Sequence, residues 1–248
     1  KNFLCFLLCF GASLLSFAQE KEDVFHQAQD KVLNAFIASK MDKSIDGLKK
    51  QAEEFEAVYK SSKKPLAAYW LAYNRYYTTI FYLMEEEEAK AKATVKEGIA
   101  LLKELPEKNA EDYALLASLQ SISISMYSMF QAISISSKVN KNGQKAMKID
   151  PNCLRAYLVL GSSDYYKPVK YGGGKKVEEY LKKAIALPAQ KVANPYLPSW
   201  GKNTAYELLI RFYIREEKME DAKAMYKQAI VDFPEDYQIN QLAQKLID

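Results

Sequence analysis

The chain has 248 residues, of which 49% are hydrophobic and 27% are charged, as in ordinary soluble globular proteins. Glycine and proline are scarce, at 9 and 8 residues, while Ala, Leu, Lys and Glu are abundant, which favours long helices over a β-sandwich or barrel. The formal net charge of +4 is modest and spread along the chain, which argues against a nucleic-acid partner.

The N-terminal segment has the pattern of a secretory signal peptide. One basic residue precedes the apolar stretch Phe3–Phe10, and small residues at Ser16 and Ala18 form a cleavage site of the A-x-A type. We therefore expect residues 1–18 to be removed and 19–248 to be exported, to the periplasm or the medium, with no stable membrane span. A retained anchor is the alternative, although the apolar stretch is short for a membrane span.

Beyond this segment, apolar residues recur every three or four positions, which is the spacing of a helix face. The helices predicted in this way lie at about 22–39, 43–60, 66–84, 85–105, 136–149, 152–166, 174–187, 200–216, 218–232 and 235–247. The stretch "SISISMYSMFQAISIS" alternates Ser and Ile like a strand, but a helical stripe from Leu115 to Ile133 outlasts the alternation and predicts a helix. Prolines make the segment between Pro188 and Pro198 extended, and no strand is predicted.

The last two predicted hairpins repeat one spacing of large and small residues. The positions are Tyr206, Leu209, Tyr213, Ala222, Tyr226, Ala229 and Pro234, with an earlier copy at Tyr157, Leu160, Gly161, Val177, Leu181, Ala184 and Pro188. Large residues form a stripe on the first helix of each pair, and alanines on the second helix permit a close approach. This pattern resembles the tetratricopeptide repeat, a helix-turn-helix unit of 34 residues.

The resemblance implies an all-α fold, a right-handed α-solenoid of antiparallel helix hairpins. We expect a single repeat domain over 19–248, with its best repeats at 137–188 and 200–235 and a capping helix at about 235–247, since the ends of a solenoid need a cap.

A glycine triplet, Gly172–Gly174, is followed by two lysines and raises the question of phosphate binding. A P-loop needs the pattern G-x4-G-K-[ST] after a strand, whereas here a helix precedes the loop and Lys176 takes the hydroxyl position. The triplet is therefore predicted to reverse the chain between two helices. An anion site near Lys175 and Lys176 is the alternative.

Candidate catalytic residues are few. His26 is the one histidine, so no two-histidine metal site or Ser-His-Asp triad with a nucleophile motif can be assembled. Cys153, the one cysteine left after signal cleavage, is interpreted as a packing residue at a helix start. The acidic run Glu85–Glu88 is interpreted as a solvated helix start. We predict no enzymatic activity, no metal and no cofactor; a hydrolase or transferase that uses paired carboxylates is the alternative.

In tetratricopeptide-repeat proteins the first helices of the hairpins line a concave groove that binds a partner. Projecting the repeat onto this chain places Arg75, Arg155, Tyr165, Glu207, Arg211 and Arg215 in the groove. The resemblance thus implies a non-catalytic scaffold in the bacterial envelope, or outside the cell, that binds a protein or peptide. The alternative is a module of an outer-membrane nutrient-uptake or assembly complex, in which the aromatic helix 69–82 contacts a glycan.

Overall fold

The computed structural model of the protein describes residues 24–246, and within that range it contains eleven α-helices, three short 3-10 helices and no strand. The predicted all-α fold is confirmed. The α-helices are α1 Ala28–Asp42, α2 Asp46–Ser62, α3 Pro65–Met84, α4 Glu88–Glu104, α5 Ala110–Ser123, α6 Met129–Ile149, α7 Leu154–Tyr166, α8 Val177–Ala186, α9 Lys202–Arg215, α10 Met219–Asp232 and α11 Tyr237–Asn240. The 3-10 helices are Ile124–Met126, Val169–Tyr171 and Ala243–Lys245. The predicted signal peptide, 1–18, lies outside the described residues.

The described residues form two compact units. Unit 1 contains residues 24–101 together with 193–197, and unit 2 contains 102–192 together with 198–246. The single repeat domain over 19–248 stays a prediction, and the two units are described separately below.

Unit 1 is built around the aromatic residues of α3. The rings of Trp70 and Tyr73 meet edge to face, with centroids 5.4 Å apart, and both side chains are buried. The indole Nε1 of Trp70 donates a hydrogen bond to the carbonyl oxygen of Tyr196 at 3.0 Å, which satisfies the buried N–H group. Tyr69 is buried too, so these three rings belong to the core of unit 1. Tyr76, Tyr77 and Tyr82 of the same helix are half-buried, and a glycan contact of this helix stays a prediction.

Unit 2 consists of helix hairpins packed one after another, α5 with α6, α7 with α8 and α9 with α10. The alanines of the predicted repeat, Ala222 and Ala229, are fully buried. A Cβ atom on Gly161 of α7 would lie only 2.7 Å from Cδ2 of Leu181 on α8. Small residues therefore occupy the positions at which two helices of a hairpin approach most closely.

Two predicted helices differ from the structure. The helical stripe that was expected to continue from Leu115 to Ile133 is interrupted, because Tyr127 is extended and Ser128 forms a capping box with Gln131 that starts α6. The predicted capping helix over 235–247 is also wrong as a single element. It is replaced by the short helix α11 and a 3-10 turn, and its last residue lies outside the described part of the chain.

Asp112 caps the N-terminus of α5 from a buried position. Its Oδ2 accepts a hydrogen bond from the backbone N–H of Asn109 at 2.9 Å, and Asn109 Oδ1 accepts one from the N–H of Asp112 at 3.0 Å. Burial raises the pKa of the Asp112 carboxyl to about 6, although the hydrogen bond from Asn109 acts in the opposite direction.

This raised pKa gives a pH-dependent stability. The folded state holds the proton of Asp112 more tightly than the unfolded state, so the stability that this group contributes is lost as the pH rises from 3.8 to about 6. Replacing Asp112 by Asn is expected to remove this pH dependence. As the pH rises from about 4 to about 7, the free energy of unfolding of the variant should therefore increase by about 1–3 kcal/mol relative to that of the wild type. Urea unfolding at several pH values measures it; parallel pH profiles for the two proteins would contradict the prediction.

Candidate functional site

Four of the predicted groove residues lie together on one face of unit 2. Tyr165 is the last residue but one of α7, and Glu207, Arg211 and Arg215 follow one another along α9 at helical spacing. With Tyr166, which the projection from the repeat did not include, they form a surface that we call the α7–α9 patch.

Arg215 fastens the end of α7 to α9. Its Nη1 donates a hydrogen bond to the carbonyl oxygen of Tyr165 at 2.9 Å, and its guanidinium carbon lies 4.4 Å from the centroid of the Tyr165 ring. This is a cation–π arrangement. Arg215 Nε also donates to Oε1 of Glu216 at 3.1 Å. Arg215 thus places its guanidinium group over the Tyr165 ring.

Arg211 and Glu207 form an ion pair one turn earlier on α9, with Nε and Oε1 2.8 Å apart. Burial raises the pKa of the Tyr166 phenol, and the charge of Glu207 adds to this while Arg211 opposes it. Tyr166 as a whole residue is 69% exposed. Tyr165 and Tyr166 meet edge to face at 4.9 Å. The patch thus combines paired charges with solvent-accessible rings.

Arg155 is not part of this surface, which corrects its prediction as a groove residue. Only 3% of it is exposed, and its Nε and Nη2 form an ion pair with the carboxylate of Glu111 on α5, the second contact at 2.6 Å. Nη1 donates to the carbonyl oxygen of Trp200 at 2.8 Å and Nη2 to that of Ala189 at 3.0 Å. The guanidinium holds three chain segments together inside unit 2.

Arg75, the remaining predicted groove residue, belongs to unit 1. It is paired with Glu97 of α4, with Nε and Oε2 2.9 Å apart, and its side chain is 18% exposed. The guanidinium group of Arg75 is thus engaged in an ion pair within unit 1.

Tyr166 is the patch residue that sequence reasoning missed. The repeat spacing assigns groove positions at every third or fourth residue, and Tyr166 follows Tyr165 directly at the end of α7. The sequence signal that could have found it is the adjacent pair of tyrosines before Pro168. A proline there ends the helix, so that neighbouring side chains can both reach the surface.

The glycine triplet forms a turn, as predicted. Gly172 and Gly174 have positive φ angles of 81° and 85°, which glycine adopts at little cost. The three amide groups donate within the turn, Gly172 to Val169 O, Gly173 to Pro168 O and Gly174 to Asp164 O, at 2.8, 3.3 and 3.0 Å. The backbone N–H of Lys176 likewise donates to Asp164 Oδ2. Because these four amide groups already donate within the protein, they are not free to bind a phosphate.

The chemical inventory of the described residues offers little for catalysis. Within residues 24–246 no three His, Cys, Asp or Glu side chains come together in a way that could hold a metal ion. The thiol of Cys153, just before α7, is buried, and burial raises its pKa to about 12, so it is unreactive at neutral pH. None of the helices in the same range is long and apolar enough to cross a membrane.

Comparisons with solved structures identify the fold. No family model and no curated protein matches the sequence. Among solved structures, a thermophilic tetratricopeptide-repeat protein from Thermus thermophilus is similar, with a TM-score of 0.58 and 17% identity over 87% of this chain and 98% of that chain. The haemophore HusA from Porphyromonas gingivalis is similar with a TM-score of 0.52 and 21% identity over 74% of this chain and 92% of that chain. The chain therefore has the α-solenoid fold of tetratricopeptide-repeat proteins.

Proposed function

We propose that this protein is a non-catalytic, exported scaffold that binds an extended segment of a partner protein at the α7–α9 patch. Proteins with this fold bring other proteins together, and four of the six predicted groove residues lie in the α7–α9 patch. The observation that carries the proposal is the joint position of two arginines and two tyrosines on neighbouring first helices of unit 2.

The chemistry of the patch favours a peptide with acidic and apolar side chains. Arginine and tyrosine dominate the energetics of many protein interfaces, because they combine a planar group with hydrogen-bond donors. The guanidinium of Arg215 already stacks on Tyr165, so little rotamer entropy is left to lose on binding. A carboxylate of the partner would compete with Glu207 for Arg211 and with Glu216 for Arg215.

A photo-crosslinking amino acid at position 166, introduced in the source organism, tests this proposal. We expect it to capture one defined neighbour, whereas the same amino acid at exposed Lys227 on α10 serves as the matched control. Replacing Arg211 and Arg215 together by alanine is expected to weaken binding of the purified neighbour at least tenfold, or about 1.4 kcal/mol. Identical adducts at both positions, or unchanged affinity of the double variant, would show that the partner does not bind at the α7–α9 patch.

Export is a separate part of the proposal and rests on the N-terminal pattern alone. We expect the mature protein to begin at Gln19, directly after the A-x-A-type site that ends at Ala18. Sequencing the N-terminus of protein purified from fractionated cells measures this directly. A protein that retains residues 1–18 in the cytoplasmic fraction would contradict it.

A second candidate function is nutrient capture at the outer membrane. Its support is the likeness in fold to the haemophore HusA, which extends over 92% of that chain. The α7–α9 patch carries groups that suit a haem, since a tyrosine phenolate can coordinate the iron and arginines pair with carboxylates such as its propionates. Titration with haemin discriminates the two functions: a Soret shift that disappears in Tyr166→Phe and in the double arginine variant favours capture, and an unchanged spectrum of free haemin excludes it.

A further inference from the structure

We propose that one edge of unit 2 docks on an anionic lipid membrane. The edge is formed by the first two turns of α6 and by the 3-10 helix between α7 and α8. Five large side chains project there, Met129, Phe130, Ile133, Val169 and Tyr171, and we call them the apolar tip. This inference goes beyond the proposed function, because it concerns residues outside the α7–α9 patch.

The apolar tip is a single surface made from two separate segments. The hydroxyl of Tyr171 lies 3.7 Å from the sulfur of Met129, as donor and acceptor of a weak hydrogen bond. All five side chains are exposed, Phe130 to 88% and Val169 to 77%.

Helix α6 carries no acidic residue, and lysines lie beside Val169 and Tyr171 in the sequence. No Asp or Glu occurs between Asp112 and Asp150, a stretch that contains all of α6 and four lysines. Lys167 precedes the other segment and Lys170 lies within it, with the Lys170 ammonium 5.1 Å from the Tyr171 ring centroid. Lysines beside exposed aromatic and aliphatic side chains suit an anionic bilayer, because the ammonium groups stay among the head groups while the apolar side chains enter the acyl region.

The shape of the apolar tip favours a bilayer over a peptide. A peptide binds in a concave groove that encloses its side chains, whereas these residues project from the N-terminus of a helix and from a loop. A projecting phenylalanine can bury its ring at the interface between head groups and acyl chains, because lipid chains rearrange around it. The described helices include no membrane-spanning segment, which is consistent with surface attachment.

Sedimentation of the full-length protein with lipid vesicles tests the inference. We expect binding to vesicles of phosphatidylcholine mixed with phosphatidylglycerol, and much weaker binding to pure phosphatidylcholine or at high salt. Replacing Phe130 and Ile133 together by serine is expected to reduce the partition coefficient about tenfold. Val231→Ser is the matched control, since Val231 is an equally exposed aliphatic residue on α10 and its replacement should change nothing. Every variant keeps the same N-terminal segment, so a difference between them arises from the substituted surface.

Two results would overturn the inference. Equal binding of the wild type and the double variant to anionic vesicles would show that another part of the chain makes the contact, and absence of binding to these vesicles would exclude the membrane. If sedimentation velocity instead shows a dimer that Phe130→Ser and Ile133→Ser dissociate, the apolar tip joins two copies of the chain and the membrane proposal is wrong. Circular dichroism of each variant confirms that the helices are retained.

Discussion

Replacing Arg155 by alanine is expected to lower the free energy of unfolding by about 3–5 kcal/mol, the range found when one partner of a buried ion pair is removed. The guanidinium is 3% exposed and makes contacts with Glu111, Trp200 and Ala189. Its loss leaves the Glu111 carboxylate without its cation in a site that is mostly shielded from water. The carbonyl groups of Trp200 and Ala189 lose their donors at the same time, and each such loss costs free energy when water cannot replace the donor.

Urea unfolding measures this effect, and two further variants sharpen it. Arg211→Ala is the control, because Arg211 also pairs with a glutamate of the same unit but its side chain is 30% exposed; we expect a loss of less than about 1 kcal/mol there. The Arg155→Lys variant keeps the positive charge, but lysine lacks the planar guanidinium group that binds Glu111 through two nitrogens. Its free energy of unfolding should therefore lie between those of the alanine variant and the wild type. Equal losses for Arg155→Ala and Arg211→Ala would disprove the structural role of Arg155.

The contrast between these two arginines shows what the sequence could and could not predict. The projection from the repeat placed both side chains in the groove, Arg155 near the start of α7 and Arg211 further along α9. The helix containing Arg155, however, is contacted by Glu111, 44 positions earlier, and by the loop that carries Ala189 and Trp200. Contacts between residues so far apart in the chain are decided by tertiary packing, which helical periodicity does not contain.

Elsewhere the sequence was sufficient, because the physical cause was local. The spacing of Ala222 and Ala229 predicted where helices approach each other, and both alanines are fully buried. The interruption before α6 was missed although its cause is also local, since Ser128 and Gln131 have the spacing of a capping box. A search for capping signals within the apolar stripe would have found it.

Replacing Gly173 by alanine is expected to cost about 3 kcal/mol or more, at or above the upper end of ordinary overpacking. A Cβ atom at this position would lie 1.8 Å from the carbonyl oxygen of Lys167 and 2.6 Å from its carbonyl carbon. Both are backbone atoms at the end of α7, so no side-chain rotation relieves the clash and the turn itself must move. The same turn carries Gly174, whose Cβ position is 3.8 Å from Nη2 of Arg215, so its displacement should also disturb the α7–α9 patch.

Gly172→Ala separates this steric effect from the cost of an unusual backbone angle. Gly172 has a φ of 81°, but the nearest atom to its Cβ position is the mobile Nζ of Lys167 at 3.9 Å. We therefore expect a loss of only about 1 kcal/mol, the cost of placing a non-glycine residue in the left-handed region. In thermal unfolding, the Gly173→Ala variant should have a clearly lower melting temperature than the Gly172→Ala variant. The reverse order would mean that the backbone angles, and not the close approach of the turn to the end of α7, require glycine here. The steric account predicts that Gly173 tolerates no other residue, whereas Asn, which enters the left-handed region more readily than Ala, should partly replace Gly172.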